Sequence, residues 1–111
     1  MPRPVYEVKA ELFRTLGHPL RIRILEVLRG GETGVTEIAE EVGVGGSTLS
    51  QHLATLRRAD IVTSRRDGSA VLYTVVDPRV FELLEVGRKL LTTSLEGTQQ
   101  TLADLERLSF D

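Results

Sequence analysis

Apolar residues recur at helical spacing through the first half of the chain, and the period then changes. Val5, Val8, Leu12 and Leu16 fall on one face, with Glu7, Lys9, Glu11 and Arg14 on others, which predicts an amphipathic helix over about 5–16. Gly17 stops it, and Pro19 suits the first turn of a second helix that reaches about Leu28. Ile22, Leu25 and Leu28 make its stripe, Ile24 widens it, and Gly30-Gly31 ends it. Val35, Ile38, Ala39 and Val42 mark a short third helix with Glu37, Glu40 and Glu41 outside. Gly43-Val44-Gly45 is a tight turn, and a fourth helix over about 46–59 buries Leu49, Leu53 and Leu56. Residues 61–66 and 70–76 are β-prone around the hairpin signal Asp67-Gly68. Asp77-Pro78 then reads as the N-cap and first position of a last helix, about 78–108, with Gly87 and Gly97 as weak points.

A short helix, a glycine turn, a second helix and a β-hairpin spell a winged helix-turn-helix. The expected fold is mainly α with a β-hairpin wing: helix-turn-helix over about 35–59, wing over about 61–76. With Leu49, Leu53 and Leu56 turned inward, Ser47, Ser50, Gln51, Ala54 and Arg58 project the other way. Short polar side chains let such a helix approach the major groove, and Gln51 can offer a donor–acceptor pair to adenine. The N–H groups at the helix start suit a phosphate, with Gly45 and Gly46 leaving that end open. Arg65 and Arg66 flank the hairpin turn, where arginines meet phosphates or the minor groove. His52 stands on the flank of the buried row, and His18 precedes Pro19 at a helix start.

Composition changes this picture in three ways. The 111 residues allow one compact domain, taken as 1–111, and 41% apolar with 27% charged residues is ordinary for a globular chain. The absence of cysteine excludes disulfides, thiolate metal sites and cysteine redox chemistry. No apolar run approaches the ~18 residues a membrane helix needs. Met1-Pro2-Arg3-Pro4 leads straight into charged residues, so no signal peptide and a cytoplasmic location are expected. The net charge of −2 hides an asymmetry. Residues 44–76 carry Arg57, Arg58, Arg65 and Arg66 against Asp60 and Asp67, whereas residues 77–111 hold seven acids against four bases. The catalytic inventory is thin: no cysteine, two unpaired histidines and no Gly-rich phosphate loop, so an enzyme is not expected.

Several segments together resemble the ArsR/SmtB family of bacterial transcriptional repressors. Leu16-Gly17-His18-Pro19-Leu20-Arg21-Ile22-Arg23-Ile24-Leu25 resembles the family's opening motif. Ser47-Thr48-Leu49-Ser50-Gln51-His52-Leu53 resembles its recognition helix. Leu56-Arg57-Arg58-Ala59-Asp60-Ile61-Val62 and Arg65-Arg66-Asp67-Gly68 resemble the helix end and the wing. The resemblance implies a homodimer built from the first and last helices on an imperfect palindrome. The last helix supports this independently. Phe81, Leu84, Leu91, Leu95, Leu102 and Leu105 recur at 3/4 spacing, broken by Arg88 and Thr98, while Val80, Leu83 and Leu90 add a second apolar flank. The family's sensing chemistry is missing. Where many members carry Glu-Leu-Cys-Val-Cys-Asp, this chain has Glu32-Thr33-Gly34-Val35-Thr36-Glu37, and the Asp-x-His motif of others is matched by Asp77-Pro78-Arg79. Neither a soft-metal nor an imidazole site can be built from these residues; an all-carboxylate site for a hard cation from Asp77, Glu82, Glu85 or Asp104 stays open, though no spacing singles it out.

The expected function is therefore a homodimeric, sequence-specific regulator of transcription on double-stranded operator or promoter DNA, with no metal and no cofactor. The DNA-binding candidates are Ser47, Thr48, Ser50, Gln51, His52, Arg58, Arg65, Arg66 and Ser69. Its input is an unidentified small molecule or protein effector, if any, with Arg88 and Thr98 as the polar breaks to examine. The alternative is a winged-helix protein-interaction module that never touches DNA.

Overall fold

The computed structural model describes residues 2–95 and 105–107. These group into two compact units, Met1–Phe81 and Glu82–Asp111. The first holds four helices and a small sheet: α1 (Val5–Leu16), α2 (Pro19–Leu28), β1 (Thr33–Gly34), α3 (Val35–Val42), α4 (Gly46–Arg58), β2 (Val62–Asp67) and β3 (Ala70–Val75). A last helix, α5 (Arg79–Leu95), begins at its end and runs through the second unit. Residues 105–107 are again helical. Whether one helix continues through Gly97, and where Leu102 points, lies outside the described residues.

Local chemistry explains each boundary. The His18 imidazole caps α2, its Nδ1 accepting from the Leu20 N–H at 3.1 Å, with Pro19 in the first turn. Gly43 takes φ +74, the left-handed conformation that closes α3 and makes the tight turn into α4. The end of α4 is a Schellman motif: Asp60 N–H donates to the Arg57 carbonyl and Ile61 N–H to the Leu56 carbonyl, each at 3.0 Å. Asp60 supplies the left-handed residue, φ 59, and buried Ile61 and Leu56 are the apolar pair that goes with it. Asp77 opens α5. Its carboxylate accepts from the Arg79 N–H at 3.0 Å and from the Arg79 guanidinium, which together hold its pKa down at about 2.

The sheet has the order β1-β3-β2, antiparallel throughout. The hairpin runs in register from Val62↔Val75 to Asp67↔Ala70, so the two-residue loop is Gly68-Ser69, one position beyond the Asp67-Gly68 expected from sequence. Gly68, at φ +64, provides the positive φ that the first loop residue of a type II′ turn requires. The edge strand β1 was not expected. It pairs Thr33 with Tyr73 and Gly34 with Leu72. Two residues carry no period to read, and one of them is glycine; only the pairing partner makes this segment a strand.

One core joins these elements. Ile24, Leu25 and Leu28 of α2 meet Ile38 of α3, Leu49, Leu53 and Leu56 of α4, and Ile61, Val62, Tyr73 and Val75 around the sheet. Each is at most 9% exposed, and no polar or charged residue is buried among them. Trimming such a side chain removes transfer energy and leaves a cavity. Leu56→Ala, at the α4 position that also anchors the Schellman motif, should cost about 2–5 kcal/mol in urea unfolding. A loss below about 1 kcal/mol would show that this row does not hold α4.

Candidate nucleic-acid interface

The three buried leucines of α4 decide what its other faces present. At ~100° per residue, Ser47, Gln51, Ala54 and Arg58 stand opposite the core. Ser50 and Arg57 stand on one flank, and Thr48, His52 and Thr55 on the other. Ser47, Thr48, Ser50, Gln51, Arg57 and Arg58 are exposed. No side chain caps the start of α4, where Gly45 is the N-cap, so its first N–H groups face outward without an intrahelical acceptor. That end carries the positive pole of the helix and can take an anion.

A cleft of about 650 Å³ separates α4 from the wing. Ser50, Ala54 and Arg57 of α4 line one wall, and Ser69 with Val71 and Tyr73 the other. Arg57 was read from sequence only as part of a basic helix end. The signal for its place was its position four residues after Leu53, which puts it beside the buried row rather than opposite it. Glu37, at the start of α3, lines the same cleft and limits its positive charge.

The two wing arginines are unlike. Neighbours on a strand point to opposite faces. Arg66 shares a face with buried Val62 and with its cross-strand partner Val71, which lines the cleft. Arg65 lies on the other face, where both its guanidinium Nε and Nη2 donate to the Glu32 carboxylate at 2.6 and 2.7 Å. That paired bond holds the Glu32 carboxyl below its usual range, with a smaller contribution from the Thr74 hydroxyl. Ser69 is exposed in the hairpin loop.

His52 also has an intramolecular partner. It is half-buried and faces α2, not the outward surface of α4. Its Nδ1 lies 3.4 Å from the Arg21 Nη1, and its ring centroid 4.3 Å from that of His18. Arg21 in turn donates through Nε to the Thr15 carbonyl at 2.7 Å, tying α4 to the end of α1. His52 thus occupies the flank of the buried row that the leucine spacing predicts, ~100° beyond Gln51, and as a DNA-binding candidate it stands apart from the outward Ser47 and Gln51. Arg58 remains outward, its Nη2 3.4 Å from the Thr55 hydroxyl. Arg88 of α5 is bonded to Glu85, and Thr98 lies outside the described residues.

The positions that match the family's metal ligands do not fit a metal. Gly34 and Thr36 offer no thiolate, and the Asp77 carboxylate is already engaged by Arg79. Among the described residues no group of three or more His, Cys, Asp or Glu side chains is placed to hold an ion. No described helix is long and apolar enough to cross a membrane.

Fold and site together define a winged helix-turn-helix protein. Residues 18–64 match the sequence profile of the ArsR family of bacterial regulatory proteins. An HTH-type transcriptional regulator of Mycobacterium tuberculosis, Rv0081, is 48% identical over 103 residues, 92% of this chain and 90% of that protein. Its crystal structure superposes with a TM-score of 0.78, covering 86% of this chain and 97% of that one. The transcriptional repressor BigR of Xylella fastidiosa has a TM-score of 0.68 at 32% identity, covering 81% of this chain and 96% of that one. A homodimeric winged helix-turn-helix DNA-binding domain from Mycobacterium bovis has a TM-score of 0.71 at 28% identity, covering 80% and 86%. The chain belongs to the ArsR family.

The His52 cluster makes stability depend on pH. Burial, His18 and Arg21 all disfavour the charged imidazole and lower its pKa from 6.5. The unfolded chain takes up that proton more readily than the folded one. The full contribution is therefore present above about pH 6.5 and is lost as pH falls through the lower folded value. The urea midpoint should drop between pH 7.5 and 5.5, and His52→Gln should flatten that drop. An equal pH dependence in both proteins would remove His52 as its source.

Proposed function

We propose that the chain is a homodimeric, sequence-specific transcriptional regulator, a repressor that binds a palindromic operator in double-stranded DNA in the cytoplasm. The observation that carries this reading is the outward face of α4. It is short and polar, it has an uncapped N-terminus, and it stands across a cleft from an arginine-bearing wing. Ser47, Thr48, Ser50 and Gln51 read base edges or the phosphates beside them, with Gln51 suited to adenine. Arg57, Arg58, Arg66 and Ser69 hold the backbone and set the register. The strand between the groove read by α4 and the groove met by the wing tip runs along the cleft.

The dimer follows from surface that one chain leaves uncovered. On α1, Tyr6 is 74% and Phe13 55% exposed, beside Val5, Val8 and Leu12. On α5, Leu90 is 65% exposed, beside Val86 and Leu91. Each large apolar side chain buried by a second copy contributes roughly 1.5–3 kcal/mol. A two-fold dimer then offers two copies of α4 to half-sites about one DNA turn, ~34 Å, apart. The effector, a small molecule or a protein, acts through this interface rather than through a bound metal.

A gel-shift titration against fragments of the upstream region tests the reading. Gln51→Ala should cost about 1–3 kcal/mol at one base position and relax specificity there. Arg66→Ala should weaken every sequence alike and reduce the salt slope by about one. Failure to retard any fragment at low salt would leave the protein-interaction alternative standing. Sedimentation tests the assembly: Tyr6→Asp with Leu90→Glu should turn a dimer into a monomer, and a monomeric wild type would overturn it.

A further inference from the structure

Glu32 and Arg65 are 33 residues apart in sequence and belong to opposite edges of the sheet. Glu32 immediately precedes β1, Arg65 is in β2, and β3 lies between them. The pair therefore bridges the middle strand on the face of the hairpin opposite to that of Arg66. Its position along the hairpin matters. Arg65 is paired with Leu72, and Leu72 is also the first β3 residue that β1 supports, through Gly34. From Arg66 to Val71 the hairpin has two strands only. The bridge sits where the supported base of the wing becomes the free tip.

We propose that Glu32 is the positioning residue of the wing: through Arg65 it sets the direction in which the tip, with Arg66 and Ser69, leaves the sheet, and Arg65 itself takes no phosphate. This rests on the DNA-binding reading and deepens it. A two-stranded ribbon on its own is weakly held and twists freely. A guanidinium gripped through two nitrogens fixes direction as well as distance, which a lysine could not do. The ion pair is exposed, so it adds little to global stability. Its effect falls on geometry at the tip. It also removes one of the two wing cations from the charge available to DNA, leaving Arg66, on the opposite face of the hairpin, as the other wing arginine.

Two measurements test this, one without DNA. Hydrogen exchange on the free protein should show hairpin amides from Arg66 to Val71 exchanging several-fold faster in Glu32→Gln, with α2 and α4 amides unchanged. Unchanged hairpin exchange would overturn the proposal whether or not the protein binds DNA. Binding is then followed against salt on a mixed-sequence 30-base-pair duplex, where phosphate contacts supply the affinity. Glu32→Gln and Arg65→Lys should each weaken binding about two- to fivefold at unchanged salt slope. The charge-swapped pair Glu32→Arg with Arg65→Glu should recover most of that loss. If Arg65 were instead a phosphate ligand held back by Glu32, Glu32→Gln would tighten binding and Arg65→Ala would lower the slope by about one; either result overturns the proposal. If the wild type fails to bind the duplex, the DNA-binding reading falls, and hydrogen exchange alone decides whether the pair sets the wing.

Discussion

The seating of the α4 leucine row on α2 is the contact from which the rest of this molecule follows. Leu49, Leu53 and Leu56 are almost completely buried against a core that includes Ile24, Leu25 and Leu28. That burial fixes the rotation of α4 about its own axis. Once the axis is fixed, Ser47 and Gln51 must face out, Ser50 and Arg57 must face the wing, and His52 must face α2. A rotation of one residue, 100°, would exchange these roles. The outward face is a consequence of what the opposite face buries. The Schellman motif at Asp60 then passes the orientation on, because it sets the direction in which the chain enters β2.

The polar residues that this packing turns inward are not spare. His52 meets His18 and Arg21, and Arg21 reaches back to the carbonyl of Thr15. Helix α4 is thereby joined to the start of α2 and the end of α1 by side chains with no acid among them. Burial and the neighbouring positive charge of Arg21 favour the neutral form of the His52 imidazole in this cluster. On the other side of the molecule the wing solves the opposite problem. A hairpin needs an anchor where its third strand ends, and a carboxylate from outside the hairpin provides one at Arg65. Positive charge near α4 and the wing is thus divided between residues that hold the fold and residues left for a ligand, which the net charge of the chain conceals.

Much of this was legible in the sequence. The ranges of α1, α2 and α3 follow from apolar spacing and from their flanking Gly and Pro residues, because those signals are local. The hairpin followed from β-prone runs around a turn, with its loop one position off. The outward residues of α4 followed from the leucine spacing alone. What could not be read was where a side chain lands when its partner is far away in sequence. Strand β1 exists only because β3 lies beside it. Arg65 and Arg66 are identical letters in adjacent positions, yet Arg66 shares a strand face with buried Val62 and Arg65 is tied to Glu32. Arg57 and Arg58 are another such pair, one in the cleft and one pointing away from the core.

The sequence by itself determined the helix-turn-helix, the wing, the outward face of α4, and the loss of the family's thiolate and imidazole ligands. These depend on period, on punctuation and on which residue types are present. The tertiary structure alone decided where these side chains land: it gave Arg65 to Glu32, turned His52 toward Arg21, and placed Arg57 at the cleft. The physical reason is that local spacing fixes only the side of its own element to which a residue belongs. The occupant of the space on that side is brought there by the rest of the chain.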